Sequence, residues 1–145
     1  MRFRVVTMAA VVAVVAVVFV LAPAASALSA KQFRDQADKI CRDGTTARTE
    51  LLQQHFPDGP NAQPTAAQLK AFVGDYKTVV KDQIDQLAAL QPPAKLKAKL
   101  NKLVSTARKA LARVVAKPSL LLADSDPFAA VSRQSAALGL TECAS

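Results

Sequence analysis

Ala94 to Lys117, AKLKAKLNKLVSTARKALARVVAK, admits one regular conformation. Its apolar residues Leu96, Leu100, Leu103, Ala107, Leu111 and Val114 recur at steps of three and four. That is the α-helical period, and it gathers those side chains on one face. The same stretch holds Lys95, Lys97, Lys99, Lys102, Arg108, Lys109, Arg113 and Lys117, and no acidic residue. At about 100° per residue, Lys95, Lys99, Lys102, Lys109, Arg113 and Lys117 share a narrow stripe beside the apolar face. A helix of this kind draws most of its stability from packing of that face. The rest of the chain must therefore supply elements that cover the Leu/Val side and leave the charged side in water.

The chain has 145 residues, enough for one domain, and a formal net charge of +8. The eight cations of Ala94–Lys117 equal that net charge, so the remainder is near balance. A field concentrated on one helix attracts anions: phosphate polymers, anionic lipid headgroups, acidic proteins. The plainer alternative is a solvated face that keeps a small protein soluble.

The amino terminus reads as an address. Arg2 and Arg4 precede an uncharged run, Val5 to Leu21, that is mostly Val and Ala. Ala22-Pro23-Ala24-Ala25-Ser26-Ala27 follows. Positive start, apolar middle and small-residue exit make a secretory signal peptide, residues 1–27, with cleavage expected between Ala27 and Leu28. Ala22-Pro23-Ala24 is the weaker cleavage site, and an uncleaved anchor is the competing reading. No Cys follows the run for lipid attachment, and no Arg-Arg pair precedes it for twin-arginine export.

Residues 28–145 then form the expected mature domain. Ser29 can cap a first helix running to about Gln54, with Phe33, Ala37, Ile40, Gly44, Ala47 and Leu51 as its seam. Gly44 on that seam allows a close approach by a neighbour. His55 to Pro64, HFPDGPNAQP, breaks the helix. Thr65 with Gln68 is a capping-box start, and Leu69, Phe72, Val73, Tyr76, Val80, Ile84 and Leu87 give a second apolar face through Leu90. Asp75, Asp82 and Asp85 are placed on one flank of it and Lys70, Lys77 and Lys81 on the other. Pro92-Pro93 separates helix two from the basic helix, and Pro118 ends the latter. Ser119 to Ser125 is unusually apolar for a loop, and its leucines are expected to fold over one end of the core. Asp126-Pro127 opens a short fourth helix through Phe128, Val131, Ser135 and Leu138, stopped by Gly139 with Leu140 placed for the accompanying apolar contact. No strand pattern or internal repeat is present. Four amphipathic helices with short connections predict an all-α, antiparallel up-down-up-down four-helix bundle.

Cys41 and Cys143 are the only two cysteines. Outside the cytoplasm they are expected to pair. A helix four that descends from the far end and stops near mid-height leaves Cys143 level with Cys41. Two free thiols or an intermolecular link are the alternatives. The absence of C-x-x-C gives no support to redox catalysis.

Ala37-Asp38-Lys39-Ile40-Cys41, Leu87-x-x-Leu90 with Pro92-Pro93, Asp126-Pro127-Phe128-Ala129-Ala130 and Gly139-Leu140-x-x-Cys143 together resemble a group of small exported actinobacterial helical proteins of uncharacterised function. The resemblance spans most of the mature region. It implies a helical domain closed by an N-to-C-terminal disulfide, and it brings no catalytic or ligand residues. The basic helix is heavier here than that pattern requires.

Chemistry is sparse. His55 is the single histidine, and with Asp58 it falls short of the three or four ligands a metal site needs. There is no G-x-S-x-G, no Gly-rich phosphate loop and no H-E-x-x-H. A haem site on His55 or Tyr76 is the remote cofactor reading; Tyr76 fits better as a core residue with its hydroxyl at the rim. Neither enzymatic activity nor a cofactor is expected. The leading expectation is an exported monomer that binds an anionic cell-envelope polymer or lipid headgroups through Lys95, Lys99, Lys102, Lys109, Arg113 and Lys117. Nucleic acid is not expected, since no aromatic residue lies in that stretch for base stacking. The alternative function is a carrier holding an apolar, lipid-like ligand between helices, because Ala37, Gly44, Ala47 and Ala107 are small core positions. Neutralisation of the stripe by Asp75, Asp82 and Asp85 would favour the plain solvated reading.

Overall fold

Each helix begins and ends where the sequence supplies a reason. A computed structural model describes residues 27–57, 59 and 63–144. The expected signal peptide lies outside the described residues apart from Ala27. Helix α1 runs Ala30–His55. Ser29 caps it and Gln32 returns the bond, so two of its otherwise orphaned N–H groups are satisfied. Helix α2, Ala66–Ala89, starts with the same reciprocal pair, Thr65 and Gln68. Helix α3, Ala94–Ala116, follows Pro92-Pro93, and Pro118 terminates it. A 3-10 turn, Pro118–Leu122, leads to helix α4, Ala129–Leu138.

Helix α4 starts later than Asp126-Pro127 suggests. The Asp126 carboxylate accepts from the Phe128 N–H at 2.8 Å, forming a turn that aims the chain before the helix begins. Its other end is as expected. Gly139 takes φ +74°, its N–H reaches the Ala136 carbonyl, and the Leu140 N–H reaches that of Ser135. That is a Schellman stop. It throws Leu140 into the core, where it is fully buried.

The architecture is the four-helix bundle, and among the described residues there is no strand. Helix α1 packs on α2, α2 on α3, and α3 on α4. The main core joins Phe33, Ala37 and Cys41 of α1, Val80, Ile84 and Leu87 of α2, Leu100, Leu103, Val104, Ala107 and Leu111 of α3, and Leu138 and Leu140 at the end of α4. A second cluster, Phe72, Val73 and Val114, sits at the other end under Leu120 and Leu121. Those two leucines cover the core as expected, whereas Leu122 projects into solvent. Tyr76 and Phe128 touch both clusters and tie them together.

Cys41 and Cys143 form a disulfide, with Cα atoms 5.1 Å apart. Cys41 lies roughly 17 Å along α1 at about 1.5 Å per residue, near mid-height. The ten-residue α4 ends at that level. Asp38 secures the same joint: its carboxylate accepts from the Glu142 N–H at 3.0 Å and the Thr141 hydroxyl at 3.1 Å.

Candidate functional site

The basic stripe is positioned by the buried face of α3. Leu100, Leu103, Val104, Ala107, Ala110, Leu111 and Val114 are buried, and they fix the rotation of the helix about its axis. Lys95, Lys99, Lys102, Lys109, Arg113 and Lys117 are consequently all exposed. They span roughly 33 Å along the axis at about 1.5 Å per residue. Among the described residues, none of the six forms an ion pair. Arg113 instead donates to the Pro127 carbonyl at 3.2 Å, fastening the start of the α4 segment to α3.

The three aspartates do not cover the stripe. Asp75 meets His55 of α1 at 2.9 Å, and Asp82 accepts from Gln86 on its own helix at 2.6 Å. Asp85 is separated from both: it lies beside Lys81, at 2.6 Å, and reaches Arg108 of α3 at 3.0 Å. Those two cations hold its carboxyl below the usual carboxylate range, the Lys81 hydrogen bond being the larger cause. Arg108 stands on the opposite flank of α3 from the stripe. Helix α4 itself, AAVSRQSAAL, holds no acid.

His55 and Tyr76 belong to an aromatic column. Phe72 meets His55 edge-on at 5.7 Å and packs tilted against Phe56 at 5.3 Å and Tyr76 at 5.5 Å, and Tyr76 lies 6.4 Å from Phe128. Burial raises the Tyr76 pKa; nearby Arg48 opposes the shift and Asp126 adds to it. Among the described residues, no three of His, Cys, Asp and Glu converge as a metal site requires.

The small core positions behave differently from one another. Gly44 is filled: a Cβ there would sit 2.5 Å from Gln83 Oε1, so the Gln83 side chain occupies that space. Gln83 in turn accepts from Arg48 Nη1 at 2.6 Å. Ala37 is sealed under the disulfide tail. Ala47 is half-buried, and Ala107 lines a cavity about 190 Å³ in volume. Its floor is Val80, Ile84, Leu87, Leu103, Val104 and Ala107; α1 and α4 form its walls. The cavity exists because α1 and α4 share no packed seam comparable to the other pairs.

Two features of this cavity were missed from sequence. Arg48 and Gln83 stand at its rim, and Ser132 and Ser135 line its α4 wall. Ser135 is fully buried, and its hydroxyl finds no hydrogen-bond partner among the protein's atoms. An unsatisfied buried hydroxyl costs roughly 1–3 kcal/mol. The available signal was a serine at a core register position of helix four. Comparison of the chain with protein-family models, curated proteins and solved structures finds no match.

Proposed function

We propose that this is an exported, non-enzymatic helical module that binds an anionic component of the cell envelope, a wall polymer or lipid headgroups, through one face of α3. The observation that carries this reading is the exposure of all six stripe cations with no acidic partner among the described residues. A helix set by its core presents these charges as a fixed row, so little ordering entropy is lost when a polyanion lies along it. Binding of this type is driven by release of counterions and falls steeply with salt.

Export is part of the same proposal. Among the described residues no helix is long and apolar enough to cross a membrane, and the disulfide is compatible with an oxidising compartment. The Leu28 N–H donates to the Gln91 carbonyl at 2.7 Å. Cleavage after Ala27 would leave that bond in place, with the new amino group as its donor. Mass spectrometry of exported protein is expected to find Leu28 first; an intact Met1 would contradict the processing.

The binding test is a salt titration against isolated envelope, with charge reversal of Lys99, Lys102 and Lys109. The variant is expected to lose most of its binding and more than half of its salt slope, since three of six contacts are removed and replaced by repulsive charges. Unchanged binding by a folded variant would refute the reading.

A further inference from the structure

We propose that the cleft between α1 and α4 is a binding site for a small neutral molecule with an apolar body and one hydrogen-bonding head. This goes beyond the α3 face and does not depend on it. Three observations define the occupant.

Size is the first. The cavity of about 190 Å³ is below the range of roughly 300–1,000 Å³ that holds drug-sized ligands. It exceeds the roughly 150 Å³ that admits a benzene ring. A long acyl chain does not fit; a single ring or a short branched alcohol does.

Chemistry of the floor is the second. Val80, Ile84, Leu87, Leu103, Val104 and Ala107 present only carbon. The body of the occupant is therefore apolar.

The third is the head. Ser135 lines the cavity with a hydroxyl that no protein atom satisfies. It can donate or accept one hydrogen bond. Arg48 is already committed to Gln83 Oε1 at 2.6 Å and Thr45 Oγ1 at 2.8 Å, and two carboxylates, Asp126 and Glu142, line the same cavity. Glu142 is paired with Arg42 at 3.7 Å, so the charges around the cleft balance, and it selects neither an anion nor a cation. A hydroxyl or amide head meets Ser135 without bringing a charge into the bundle.

The test uses the full chain with its disulfide closed, and phenol and toluene as probes. Both fit by size, and only phenol carries a head. Methyl resonances of Val80, Leu103 and Val104 are followed by NMR during each titration. Saturable shifts are expected for both probes, with a phenol Kd on the order of 1 mM for so few atoms. Ser135→Ala is expected to weaken phenol by about 5- to 10-fold, one hydrogen bond's worth, and to leave toluene unchanged. Ala107→Leu is expected to fill the floor and abolish both. Ser132→Leu, placed at the wall, does the same job should Ala107→Leu fail to fold. Unmoved methyls with either probe, meaning water alone occupies the cleft, would overturn the proposal. So would binding that survives a folded, filled variant, or an equal effect of Ser135→Ala on both probes.

Discussion

Removing the bridge between Cys41 and Cys143 tests how the bundle is closed. The double substitution Cys41→Ala/Cys143→Ala opens a link between residues 102 apart in sequence. Chain entropy for a loop of that length gives about 4.7 kcal/mol of stabilisation. Typical domains have about 5–15 kcal/mol in all, so the loss is a large share of the total. Packing adjusts the figure. Cys41 is 2% exposed, so losing its sulfur leaves a small void worth up to about 1 kcal/mol more. Residual structure in the open denatured chain works the other way, and engineered comparisons often fall below the entropic value. The expected loss is therefore about 3–5 kcal/mol. The native fold itself should persist, because Leu138 and Leu140 stay buried and Asp38 still holds Thr141 and Glu142. Urea unfolding followed by far-UV circular dichroism gives the number. Wild type unfolded with the bridge reduced should match the double variant within about 1 kcal/mol, since both act on the denatured chain. A loss below about 1 kcal/mol would refute the loop argument. So would a matching loss from Cys143→Ala measured against already reduced wild type.

Four further outcomes are expected. Leu140→Ala should cost about 2–5 kcal/mol in the same assay, because the residue is 0% exposed and its Schellman stop holds it in place; a loss under 1 kcal/mol would count against that role. Gly44→Ala should change stability by less than about 1 kcal/mol, as the helix-propensity gain offsets displacement of the flexible Gln83 end; a loss above about 2 kcal/mol would mean that Gln83 cannot move. Charge reversal of exposed Lys99, Lys102 and Lys109 should leave stability within roughly 0.5 kcal/mol per site, checked by thermal melting. Tyr76 is the single tyrosine, so phenolate absorbance reads it alone. Its folded pKa is raised above 10.0, so its contribution is full below pH 10 and is lost as pH climbs through the folded value. Native protein should ionise at higher pH than urea-unfolded protein, and Tyr76→Phe should remove that part of the alkaline loss; coincident titrations would show that the ring is not desolvated.

Helix boundaries were legible wherever a local device sets them. Ser29, the Thr65–Gln68 pair, Pro92-Pro93, Pro118 and Gly139 act on backbone groups within a few residues, so neighbouring sequence is all they need. Asp126-Pro127 misled by about two residues because an aspartate can close a turn as readily as cap a helix. The aspartates of α2 do not share one flank. Asp85 sits four residues from Lys81, one helical turn away on the same flank, and faces α3, whereas Asp75 faces α1. Ile40 packs against the core from the α1 seam while staying half-buried, and Cys41 next to it is the more deeply buried of the two, at the bridge to Cys143.

The sequence by itself determined four helices, their order, the short reach of the last one and hence a cysteine pair at one level. Those follow from period, caps and rise per residue, which are properties of a chain and its near neighbours. It also determined that one helix carries a row of cations. Tertiary structure alone decided that this row stays exposed, with Arg113 held by the Pro127 carbonyl, and that Arg108 rather than the stripe meets Asp85. It alone decided that Gln83 fills the space beside Gly44 while the space beside Ala107 and Ser135 stays open. The reason is that side-by-side placement of helices depends on how whole faces interdigitate, and no residue encodes which distant face it will meet.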